Sequence, residues 1–301
     1  MLLAQKSAEI PEVEGPLAVA LLLGVLVLMV PSVAFLSYLL RSFRSQNLAP
    51  LNLNLWDLLS LILLWLGLQL LAAYLSRWLA PALLTVLQAR SELPPDMDEA
   101  LLAPLSTVVG LALFALSSSV CVVVIFQMVT VRGQRLEVLG LRAQGFWKGL
   151  FQGCVIYLLA LPTTFAVIWG WSQLLELLHV EPEIQEPVLR FQEALRNGEV
   201  LAPLAIALVA VGVAPVIEEL IFRGVLFRWL QARVGTGAGV FLSALIFSIV
   251  HWNLLALLPV FVLGLLLALL FHRTGSLWAA MSLHASFNLG SLLISLAMSG
   301  N

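Results

Sequence analysis

Charge is scarce in this chain, and that scarcity decides its class. Asp, Glu, Lys and Arg make up 11% of 301 residues, hydrophobic residues 61%, and mean hydropathy is +1.03. A soluble domain carries about 25% charge. A water-solvated globule is therefore excluded, and the bilayer is the main solvent. Net charge is only −2. The basic residues are scattered through short connections, so no nucleic-acid footprint is present. Cysteine is also scarce: Cys121 and Cys154 lie in apolar runs and read as small core residues, without a disulfide or metal pattern. Residues 1–15 hold Lys6 beside Glu9, Glu12 and Glu14, so the basic opening of a signal peptide is missing. No internal repeat, low-complexity tract or soluble domain boundary is visible, nor the pseudo-symmetric halves of many transporters.

What is present is a succession of apolar runs. They predict an all-α, polytopic transmembrane helix bundle of about eight spanning helices, at roughly 16–40, 55–75, 104–129, 149–171, 201–233, 238–252, a run ending at Phe271, and 276–298. Residues 1–148 hold about three spans and a basic connection, and 149–301 hold the remainder, in one integrated membrane domain. The stretch 78–87 is apolar enough to lie in the interface. Pro94 and Pro95 break any helix there. An amphipathic surface helix is expected around 188–195. The 228–233 end of the fifth run exceeds a bilayer's need and should emerge at, or lie along, the surface. Most of the nine tryptophans sit near the ends of apolar runs, as interface anchors do.

Assigning alternate connections to one side places ten of the fifteen Lys and Arg together, in 41–54, 130–148, 223–237 and 272–275. The positive-inside rule makes that side cytoplasmic, with both termini outside. A plasma-membrane protein with its site open toward the cytoplasm is the resulting expectation.

Against this background a few polar residues stand out. No charge occurs from 201 to 217; then come Glu218, Glu219 and Arg223, and apolar residues resume. An ionisable residue within a membrane span marks a functional site by default. Glu219 and Arg223, at i and i+4, can also be a purely structural ion pair, which leaves Glu218 without a local partner. Phe247 and His251 close the sixth run, and His284 and Asn288 share one face of the eighth. Taken singly, a histidine at a span end is commonly a packing residue, and an asparagine interhelical glue. At about 1.5 Å per residue, Glu218, His251 and His284 lie roughly 22, 21 and 14 Å from their helix ends, so they can meet in one layer. Two carboxylates, two histidines and an amide are the parts of a water-activating centre. A glutamate accepts a proton from water beside a histidine, and imidazole and amide N–H groups donate to an oxyanion.

The order Glu218-Glu219-xxx-Arg223, Phe247-xxx-His251, His284-xxx-Asn288 on successive membrane helices resembles the three motifs of the CPBP family. These are intramembrane glutamic endopeptidases that include the type II CAAX prenyl endopeptidases and bacteriocin-processing or self-immunity proteins. The resemblance covers roughly 200–297 and implies catalytic Glu218 and His251 on the attacking water. It implies His284 and Asn288 at the oxyanion, Glu219 and Arg223 as supporting residues, and Phe247 as packing. It implies a membrane-associated protein or peptide substrate and no cofactor or metal, although a Glu/His/His set can hold zinc. A non-catalytic scaffold or immunity factor, a transporter or proton relay, and a zinc-dependent membrane protease remain the alternatives.

Overall fold

The computed structural model describes residues 49–91, 98–180 and 184–299, with isolated positions between 30 and 41. The first expected span, 16–40, thus lies mostly outside the described residues. The described residues are helical and contain no strand. Helix α1 is Leu55–Ser91, α2 is Asp98–Thr130, α3 is Phe146–Leu177 and α4 is Glu186–Arg196. The next run holds α5 (Leu201–Ala207), α6 (Ala214–Glu219) and α7 (Arg228–Ile249), joined by π-helical stretches Leu208–Val213 and Leu220–Phe227. Helices α8 (Leu254–Thr274) and α9 (Leu277–Ser299) complete the bundle.

Among the described residues, six helical runs are long and apolar enough to cross a membrane. One of them, Leu201–Ile249, is a hairpin and supplies both the fifth and the sixth expected spans. It reverses at Gly235, whose φ of 82° and ψ of 170° interrupt α7. The reversal brings the rings of Phe222 and Phe247 to 5.0 Å. The returning limb, 236–249, is about 21 Å long at 1.5 Å per residue, short of a hydrocarbon core of about 30 Å. It ends in the turn at 250–253.

Two expectations change, for residues 78–87 and for Cys154. Residues 78–87 do not leave the helix for the interface. They continue α1 through Pro81, because the run stays apolar and no glycine stops it. The 228–233 end packs against the neighbouring connections while Ala232 and Arg233 stay exposed. Arg228 is buried and donates to the carbonyls of Val138 and Ala49. Arg233 stacks on Trp229 at 3.9 Å and reaches the Leu53 carbonyl. Cys121 is core, but Cys154 is exposed at the edge of the seam between α3 and α9, with Sγ 3.4 Å from the Ser282 hydroxyl. The amphipathic helix appears as α4, with Phe191 and Ala194 buried.

Connections 49–57, 130–142, 228–235 and 272–277 meet at one end of the bundle. Gln134 bonds to Asn52 and Pro50, Gln231 to His272, and the Leu277 N–H to the Gly140 carbonyl. This is the basic end. Gly149 and Gly153 let α3 press onto α9: a Cβ at Gly153 would lie 2.5 Å from the Ala279 carbonyl oxygen. Spacing two small residues four apart is how membrane helices bring their backbones together.

Candidate active site

Three helices aim one group each at a common point. Glu218, near the end of α6, places Oε2 3.9 Å from Nε2 of His251 and 3.8 Å from Nε2 of His284. Both gaps exceed a hydrogen bond, and each is short enough for one water to touch both sides. Oε2 itself accepts no hydrogen bond among the described residues.

The far nitrogens of the two imidazoles are held. Nδ1 of His251 lies 2.7 Å from the carbonyl oxygen of Phe247, one helical turn back. A carbonyl can only accept, so Nδ1 carries the proton, and in the neutral ring Nε2 faces Glu218 as an acceptor. Nδ1 of His284 lies 3.0 Å from Oε1 of Glu219, and that carboxylate is an acceptor as well. Oε1 of Glu219 also receives Arg223 at 2.8 Å, with both side chains fully buried. The second arm of Arg223 reaches the Gly264 carbonyl at 3.4 Å. Two carboxylates, one guanidinium and two imidazoles share the site.

Phe247 ties these parts together. Fully buried, it carries the Arg223 guanidinium 4.2 Å over its ring and meets the imidazoles of His251 and His284 edge to face, at 4.8 and 5.6 Å. Cation–π and perpendicular ring contacts each add about 0.5–1.5 kcal/mol here.

The structure thus brings Glu218, His251 and His284 together and backs them with Glu219, Arg223 and Phe247. Asn288 is not in the same contact set. It lies one turn beyond His284 and donates through Nδ2 to the Ala210 carbonyl at 2.7 Å. That carbonyl belongs to the π-helical stretch before α6, where backbone pairing changes register. The bridge from Glu219 to His284 is legible in neither motif alone, because it joins residues 65 positions apart. The acceptors at Gly264 and Ala210 are backbone atoms and carry no side-chain signal. Among the described residues, no three His, Cys, Asp or Glu side chains are grouped as metal ligands.

Between the site and the basic end lies solid core: every residue of Leu220–Phe227 is buried, as are Leu267, Leu270, Phe271 and Leu277. His251 instead adjoins the 250–253 turn, at the end of α7 remote from Gly235.

Residues 200–290 match the family described as "Type II CAAX prenyl endopeptidase Rce1-like". The YdiL protein of Bacillus subtilis (strain 168), described as a candidate membrane peptidase, is 24% identical over 197 residues, covering 57% of this chain and 80% of that one. No solved structure matches the chain. The matched residues contain all three motifs and the whole Glu218 cluster. Over residues 200–290 the chain is thus similar to the CPBP, or CAAX-protease-type, family of membrane proteins.

Proposed function

We propose that the protein is an intramembrane endopeptidase that cleaves a peptide bond of a membrane-associated substrate with water activated by Glu218. The observation that carries this reading is the convergence of Glu218 Oε2 with Nε2 of both His251 and His284, within 3.9 Å. Water between Glu218 and His251 gives one proton to the carboxylate while Nε2 of His251 accepts a hydrogen bond from the other. The hydroxyl forms a bond to the scissile carbonyl carbon, and the carbonyl π pair moves to oxygen. Nε2–H of protonated His284, steadied by Glu219, donates to that oxyanion. Asn288 keeps a second amide N–H for the same purpose, since Ala210 takes only one. Collapse of the intermediate breaks the C–N bond, and Glu218 returns its proton to the leaving amine.

The test is cleavage of a membrane-peptide library by the purified protein in detergent, with Glu218→Ala beside it and with and without a strong chelator. Cleavage by the wild type, lost in the variant and untouched by chelator, supports the reading. Cleavage that survives Glu218→Ala sinks it, and cleavage lost only on chelation shifts the mechanism to a metal. Partner binding that persists unchanged in Glu218→Ala and His251→Ala, with no cleavage by the wild type, favours a scaffold.

A further inference from the structure

The matched segment begins at residue 200 and leaves helices α1 and α2 without a role. A chain of rings connects α1 to the site. Trp65, buried on α1, meets Phe222 with ring centroids 5.8 Å apart and planes at 87°. Phe222 meets Phe247 at 5.0 Å and 76°. Phe247 meets His251 and His284 at 4.8 and 5.6 Å, again near perpendicular. Perpendicular ring pairs have a preferred geometry as well as an attraction, so displacing one ring reorients the next.

Phe247 cannot absorb such a displacement without passing it on. Its face holds the Arg223 guanidinium, and its carbonyl takes the Nδ1 proton of His251. Phe222 is equally confined at 3% exposure, inside the π-helical stretch that directly follows Glu219. Trp65 also differs from an ordinary core residue. Its indole Nε1 is buried with no hydrogen-bond partner among the described residues. An unsatisfied buried donor costs about 1–3 kcal/mol. A leucine or phenylalanine would fill this core without that cost, so apolar filling alone does not account for an indole here.

We propose that Trp65 is a positioning residue. Through Phe222 and Phe247 it sets the orientation of His251 and His284 toward Glu218, and this is what α1 contributes to the site. The proposal rests on the catalytic reading above for its kinetic consequence, but not for its first test.

That test is NMR of ring-labelled histidine in the full chain in detergent. The chain has four histidines, so single replacements assign each signal. Trp65→Ala is compared with Trp65→Phe and with Leu58→Ala, a buried residue of the same helix outside the ring chain. The expected result is that Trp65→Ala shifts or broadens the His251 and His284 signals and leaves His179 and His272 in place. Trp65→Phe restores them, and Leu58→Ala leaves them unmoved at a similar loss of thermal stability. Unmoved His251 and His284 signals in Trp65→Ala, or equal movement in Leu58→Ala, overturn the proposal. If Trp65→Ala does not fold, Trp65→Leu, which fills the site without a ring, takes its place under the same criteria. In the hydrolysis assay, Trp65→Ala lowers kcat about 10- to 100-fold with KM little changed, as misorientation of catalytic groups does, and Trp65→Phe recovers most of it. A wild type that cleaves nothing defeats the hydrolytic reading alone, and the NMR comparison still decides the role of Trp65.

Discussion

Oε1 of Glu219 and Nδ1 of His284 lie 3.0 Å apart, both almost wholly buried, and Arg223 holds the same oxygen from the other side. The second glutamate of the pair is therefore more than a counter-ion for the arginine. It holds Nδ1 of His284 as a donor and turns Nε2 toward Glu218.

This arrangement makes Arg223 a stability residue first. Arg223→Ala leaves the Glu219 carboxylate buried without its cation, at a cost of about 3–5 kcal/mol. The double variant Glu219→Gln/Arg223→Met removes both charges and is expected to unfold at a higher temperature than Arg223→Ala alone. Thermal unfolding in one detergent checks this, and the opposite order would mean the pair is not the source of the cost.

Asn288 is expected to show two separable effects. Its bond to the Ala210 carbonyl is worth about 1 kcal/mol of stability. Its second N–H, as an oxyanion donor, is worth about 10²- to 10³-fold in kcat. Asn288→Ala should therefore lose far more turnover than its modest drop in thermal stability explains. Single-turnover rates beside melting curves measure both. A loss of activity no larger than the loss of folded protein would make Asn288 a tether only.

Gly153 controls how closely α3 approaches α9, the helix that carries His284. A methyl group there would lie 2.5 Å from the Ala279 carbonyl oxygen and 2.6 Å from the Leu283 backbone nitrogen. Gly153→Ala is expected to destabilise the fold by about 1–3 kcal/mol through overpacking. Gly67→Ala, where a Cβ meets nothing within 4 Å, should be neutral or mildly stabilising. Comparing the two melting temperatures isolates the seam from the general effect of removing a glycine.

Access to the site is testable by labelling. Trp252 is 87% exposed beside His251, and Arg135 is exposed at the basic end. In a Cys154→Ser background, Trp252→Cys and Arg135→Cys should react with an impermeant maleimide from opposite sides of the membrane. Labelling of both from one side would contradict a His251 turn that lies at the end of the bundle opposite the basic connections.

The apolar runs alone carried the class and most element positions. A segment with almost no charge must satisfy its backbone internally in lipid, and a helix does that without partners. The three motifs were equally legible, since buried Glu and His stand out against Leu and Val, and their spacing along helices already placed them in one layer. Tertiary structure decided what no local pattern encodes. Gly235 could be read as the turn between two spans, but not that the turn sets Phe247 edge to face against Phe222, because that depends on packing between the two limbs. Packing also buried the whole Leu220–Phe227 run between the site and the basic end, which charge counting does not reveal. It joined Glu219 to His284 across three helices and set Trp65 at the head of the rings leading to them. Those relationships are made between distant segments, through backbone carbonyls and ring edges whose partners exist only once the helices have docked.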